Sequence, residues 1–255
     1  MDNPSSEALF QCLLRLGDNT LILGHRLGEW CGHAPALEED IALANTALDL
    51  MGQTRHWLTL AGEVEGKGRS EDDLAMLRDV WDFRNVLLVE QPNRDYGHTL
   101  MRQFLFDHYH LLMLRALSES TNERVAEIAI KSVKEVTYHA ERSAELVIAL
   151  GDGTEESHGR MQEALDRLFP YAGELFETDA VDQEMAKAGI APLPADLQPT
   201  FDAQLETILA EATLTKPTDP FAHKGGRTGF RHTEHLGHLL SSMQWLQRAY
   251  PGAQW

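Results

Sequence analysis

Lys131-Ser132-Val133-Lys134-Glu135-Val136-Thr137-Tyr138-His139-Ala140-Glu141-Arg142 lies inside a long uninterrupted helical pattern. The capping box Ser120-x-x-Glu123 is expected to open that helix and Gly151 to close it. Counting at helical spacing gives an inward stripe of Val125, Ile128, Ser132, Val136, His139, Ser143, Leu146 and Leu150. A histidine on this stripe points into the core, and the residue three before it is valine.

The chain before this stretch predicts three more long helices. Residues Ser6 to about Leu27 form the first, with Leu9, Leu13, Leu16, Thr20, Leu23 and Leu27 inward. Gly28, Gly32 and Pro35 punctuate its end, and Pro35 suits the first turn of the next helix. The second runs to about Leu60 on Leu43, Thr46, Leu50, Gln53, Trp57 and Leu60, and Gly62, Gly66 and Gly68 end it. Short helices fill Ser70 to Gln91. Pro92, Asn93 and Gly97 then make a turn before a helix from about His98 to Leu117, with Leu100, Phe104, Asp107, Leu111 and Leu114 inward. Further helices follow at Glu155–Leu168, Phe201–Ala212 and Thr233–Ala249, between looser links at Pro192, Pro194, Pro199, Pro217 and Pro220. Period-two alternation is nearly absent, so the chain is read as all-α.

Each long helix carries an odd residue on its inward stripe. Thr20 lies 30 residues before Leu50, and Asp107 lies 29 before Val136. Leu50 has Gln53 at i+3, and Val136 has His139, so each pair shares a helix face. Ferritin-like four-helix bundles hold two irons between lone carboxylates on two helices and Glu-x-x-His on the other two. The expected fold is therefore a ferritin-like four-helix bundle. It forms a single domain over 1–255, with the core bundle at about 6–150 and appended helices at about 154–255. Of the six positions Thr20, Leu50, Gln53, Asp107, Val136 and His139, only Asp107 and His139 are good iron donors. Two hard cations need more carboxylate than that. The six are expected to fill a core, with Asp107 and His139 satisfying each other or nearby polar groups; a mononuclear or unusual metal site is the alternative. Loss of either polar residue should then cost about 1–3 kcal/mol.

A family resemblance follows from Leu16-Gly17-Asp18-Asn19, Leu27-Gly28-Glu29-Trp30-Cys31-Gly32-His33-Ala34-Pro35, Leu48-Asp49-Leu50-Met51-Gly52-Gln53 and Val89-Glu90-Gln91-Pro92-Asn93. His232-Thr233-Glu234-His235-Leu236-Gly237-His238 and Met243-Gln244-Trp245-Leu246-Gln247-Arg248 extend it over essentially the whole chain. These motifs resemble the structural-subunit family of the bacterial ring 1,2-phenylacetyl-CoA epoxidases. The resemblance implies a ferritin-like scaffold without a cofactor of its own. Its partners would be a homologous catalytic subunit with the di-iron site and an NADPH-linked reductase. It implies that the catalytic subunit has Asp-Glu-x-Gly-His where this chain has Asp49-Leu50-Met51-Gly52-Gln53. Likewise it has Lys-Glu-Glu-x-Phe-His where this chain has Lys134-Glu135-Val136-Thr137-Tyr138-His139. The rival reading is an iron oxygenase in its own right with an aberrant ligand set.

Composition narrows the function classes. The chain has 255 residues, 22 basic against 40 acidic, and a net charge of -18. That charge repels phosphate backbones and anionic membranes, which excludes nucleic acid and membrane surfaces as partners. Met1-Asp2-Asn3-Pro4-Ser5-Ser6-Glu7 has no basic or apolar leader pattern, and the two cysteines, Cys12 and Cys31, suit a reduced cytoplasm. No Walker A, dinucleotide or G-x-S-x-G motif occurs. His232-x-x-His235-x-x-His238 invites a metal reading, but its spacing drifts round a helix and suits surface or interface histidines. The glycine-rich basic run around Lys224, Arg227 and Arg231, and the smaller one of Lys67 with Arg69, read first as solvated loops, with an anion or partner contact as the alternative. Trp30, Trp57, Trp81, Tyr109 and Tyr138 read as packing residues.

Overall fold

The computed structural model describes residues 5–218 and 222–253. Residues 1–4 of the N-terminal stretch, and residues 219–221 with Pro220, lie outside the described residues. Ten α-helices and two 3-10 turns make up the described secondary structure, with no strand among the described residues. The chain divides into two compact units: Asn93–His223, and the described residues of Pro4–Pro92 with Lys224–Trp255.

The second of these is built on α1 (Ser6–Gly28) and α2 (Leu37–Glu65), an antiparallel hairpin. Ser5 caps α1, its hydroxyl accepting from the Ala8 amide at 3.2 Å. The predicted α2 stripe is buried throughout, from Leu43 to Leu60. Pro35 falls outside the helix, because the chain first closes a turn in which the Asp40 carboxylate accepts from the Gly32 and Ala34 amides. Gly66, in the left-handed region at φ 69°, ends α2. Gly62 is no terminator: it stays helical, and the Arg69 carbonyl packs where a Cβ would stand. Gly62→Ala should lower stability by about 1–3 kcal/mol despite alanine's better helix propensity. A urea midpoint at or above the wild-type value would contradict this.

Beyond α2 come α3 (Glu71–Met76), a 3-10 turn (Val80–Asp82) and α4 (Leu87–Glu90). The C-terminal α10 (Glu234–Ala249) lies against α3 and the turn. Gln244 Nε2 donates to the Ala75 and Arg78 carbonyls, both at 3.0 Å.

The other unit centres on α5 (Tyr96–Leu117) and α6 (Glu123–Gly151). Eighteen of the 22 residues of α5 are buried, so this helix has no solvent face. The capping residue of α6 is Asn122 rather than Ser120; its side chain accepts from the Val125 amide at 3.2 Å, and Ser120 instead accepts from the Asn122 amide. The α6 stripe is buried through Ser143 and then shifts to Val147 and Gly151, since 3.6 residues per turn carries Leu146 and Leu150 toward the edge. Around this pair stand α7 (Glu155–Leu168), a 3-10 turn (Phe169–Phe176), α8 (Ala180–Lys187) and α9 (Pro194–Glu211). Periodicity does not reveal the 3-10 turn or α8. It also starts α9 seven residues late, because Pro199 suggests a break yet sits inside the helix. Trp57 and Tyr109 are packed as expected, whereas Trp81 and Tyr138 are exposed.

Candidate functional site

The six inward positions fall three in each unit. In the α1–α2 hairpin, Gly17 lets α2 approach closely, since a Cβ there would meet Leu58 and Trp57. Thr20 is fully buried, and its hydroxyl lies 2.8 Å from that of Thr54. Both hydroxyls also serve helix carbonyls, Gly17 for Thr20 at 3.0 Å and Leu50 for Thr54 at 2.9 Å. Leu50 and Gln53 are buried one turn apart on α2.

In the α5–α6 hairpin, Asp107, Val136 and His139 are buried. Of the two partners expected for Asp107, His139 or a nearby polar group, the structure shows the second. Its Oδ1 accepts from Gln103 Nε2 at 2.5 Å, one turn back on the same helix. Its Oδ2 is buried without a hydrogen bond. Desolvation pushes the carboxyl up to about 8, with the Gln103 amide, the Ser143 hydroxyl and the Arg142 charge offsetting part of the effect. The group is therefore mostly protonated near neutral pH.

His110, absent from the predicted stripe, sits three residues after Asp107 and is also buried. Burial, reinforced by the nearby His139, pushes its pKa down to about 3, so the imidazole is neutral. The i, i+3 rule applied to α5, as to α2 and α6, would have found it. Among the described residues, no group of three or more His, Cys, Asp or Glu side chains could hold a metal ion.

The basic segments are fitted into structure. Glu65 engages both Lys67, at 3.1 Å, and Arg69, at 2.7 and 2.5 Å, so this pair is committed to an acid. The hydrogen bond and attraction to Glu65 raise the Arg69 guanidinium above its usual value. In the glycine-rich run, Arg227 is buried and its carbonyl accepts from Arg15 Nε at 3.1 Å. Gly226 lies against the Asn85 carbonyl where a Cβ would collide. Only Lys224 and Arg231 of the three cations there are exposed.

His232 is not a surface histidine. It lies 2.5 Å from Glu90 Oε1, and the Thr233 amide and hydroxyl donate to Glu90 Oε2 at 2.7 and 2.6 Å. Asn85 Nδ2 donates to Glu90 Oε1 at 2.9 Å, and Arg26 donates to the Glu90 carbonyl. This fully buried glutamate ties the segment entering α10 to α4. The Val89-Glu90-Gln91 motif thus has a folding role, while His235 is half-buried and His238 exposed.

The chain belongs to the family of phenylacetic acid catabolic proteins, whose profile matches residues 1–255. Among its relatives is a subunit of the 1,2-phenylacetyl-CoA epoxidase of Escherichia coli (strain K12). The two chains are 46% identical over 242 residues, covering 95% of this chain and 97% of the relative. No helix among the described residues is long and apolar enough to cross a membrane.

Proposed function

We propose that this chain is the non-catalytic, structural subunit of a cytoplasmic 1,2-phenylacetyl-CoA epoxidase, with no cofactor of its own. In this reading 1–255 is one ferritin-like domain, and α1–α2 and α5–α6 are the two halves of its four-helix bundle. A homologous subunit holds the di-iron centre, and a reductase supplies electrons. The observation that carries the proposal is the chemistry of Leu50 and Val136. Both are fully buried alkyl side chains where a Glu-x-x-His pattern calls for a bridging carboxylate. Thr20 supplies a hydroxyl already engaged with Thr54, which leaves Asp107 as the one carboxylate among the six positions, too few for two hard cations. These donors do not suit a di-iron centre, so no catalytic step is assigned to them. The role left is mechanical: to bury an apolar face of the catalytic subunit and hold its metal ligands rigid.

The purified chain, loaded anaerobically with ferrous iron and desalted, should retain no stoichiometric iron by elemental analysis. One or more tightly held irons per chain would overturn the structural role and favour an oxygenase in its own right. Oxygenase activity should require the homologous subunit.

A further inference from the structure

Helix α2 is apolar on two opposite faces. One is the buried stripe from Leu43 to Leu60. The other is confined to its first four turns: Leu37, Ile41 and Leu48 are 72%, 53% and 68% exposed. At 100° per residue these three fall within about 40° of one another, nearly opposite the buried stripe. They span about 16 Å along the helix axis. The next exposed position along that line is Arg55, which faces Glu71 at 3.3 Å, so the apolar strip stops there. A helix finished by its own fold is polar on its outer face.

The border of the strip indicates what covers it. Glu38, exposed, and Asp49, half-buried, flank it on one side, and Asp40 flanks the other. The whole chain carries a net charge of -18, so two copies meeting through this face would set acidic rims against each other. We propose that the Leu37–Ile41–Leu48 face of α2 docks an amphipathic helix of a different subunit, one whose apolar stripe is bordered by lysine or arginine. Knobs at these helical intervals suit a facing helix, and the acidic rim supplies charge complementarity and register. The inference rests on the subunit reading above and names the surface through which that subunit would join its partner.

The test is titration of the purified chain with its homologous epoxidase subunit, at low and high salt. The Ile41→Gln/Leu48→Gln pair keeps good helix formers and removes the apolar contact, so helicity by circular dichroism should be unchanged. Affinity should fall by at least about tenfold, the loss expected when central apolar anchors are removed. Raising the salt should weaken the wild-type complex. Ile130→Gln, at an exposed apolar residue of α6, should leave affinity unchanged. Wild-type affinity in the double variant would overturn this inference and leave the subunit reading standing. Failure of the wild-type chain to bind the homologous subunit would overturn the subunit reading first. A wild-type homodimer dissolved by the double variant would overturn the choice of occupant.

Discussion

Replacing Asp18 with alanine should lower the unfolding free energy by about 3–5 kcal/mol, the cost of stranding a buried cation. Asp18 on α1 is fully buried, and the Arg78 side chain is 4% exposed. Arg78 Nη1 donates to Asp18 Oδ2 at 3.0 Å, and Nη2 donates to Oδ1. The Arg84 amide adds a third donor to the same carboxylate at 2.8 Å. Arg78 also holds the Leu74 and Asp82 carbonyls and lies 4.3 Å over the Phe83 ring. One ion pair thereby fixes the connection after α3 onto α1. Asp18→Asn, which keeps an acceptor for the Arg84 amide, should lose less than Asp18→Ala. The loss should change little with salt, because a buried pair is poorly screened. Urea unfolding provides the measurement; a loss below about 1 kcal/mol would place Asp18 among ordinary surface ion pairs.

The second large effect is a pH dependence centred on Asp107. In the unfolded chain its carboxyl titrates near 4, and in the fold near 8. Between those values the folded state keeps a proton that the unfolded state has released. The contribution to stability is therefore full below about pH 4 and is lost as pH rises through about 8. At pH 7 the interval is about three pH units, on the order of 4 kcal/mol at 1.36 kcal/mol per unit. Asp107→Asn cannot ionise and should lack this slope. Its amide carries a cost of its own: the buried Oδ2 position has no partner, and an unsatisfied N–H there costs about 1–3 kcal/mol at every pH. The variant should therefore start below wild type near pH 4 and gain on it steadily toward pH 8. The expectation from sequence, that this substitution simply destabilises, holds only at the acid end. Parallel stability curves for the two proteins between pH 4 and 8 would show that Asp107 ionises in the fold at its ordinary value.

The two effects act on different parts of the molecule. The first belongs to the α1–α2 unit and the second to the α5–α6 unit. Their separate readouts test whether each hairpin is held as described.

Helical periodicity by itself determined the four long helices and most of their inward stripes, although Leu9, Leu16, Leu146 and Leu150 are only half-buried. Thr20, Leu50, Gln53, Asp107, Val136 and His139 are all inside. That was legible because a stripe repeating every 3.6 residues is a local property of the chain. The choice of alkyl groups at 50 and 136 was legible for the same reason, and it carries the functional reading. Partnership was not legible. Only the tertiary structure decided that Asp107 takes Gln103 and not His139, that Glu65 occupies Lys67 and Arg69, and that Glu90 buries His232. Polar partners are chosen by proximity in space, often across segments distant in sequence, which periodicity does not encode. Gly62 and Pro199 mark the same boundary: their types suggested breaks, but a close carbonyl explains the first, and the helix continues through the second. The outward stripe of Leu37, Ile41 and Leu48 also emerged only in three dimensions, because an apolar residue in sequence does not reveal whether its own fold covers it.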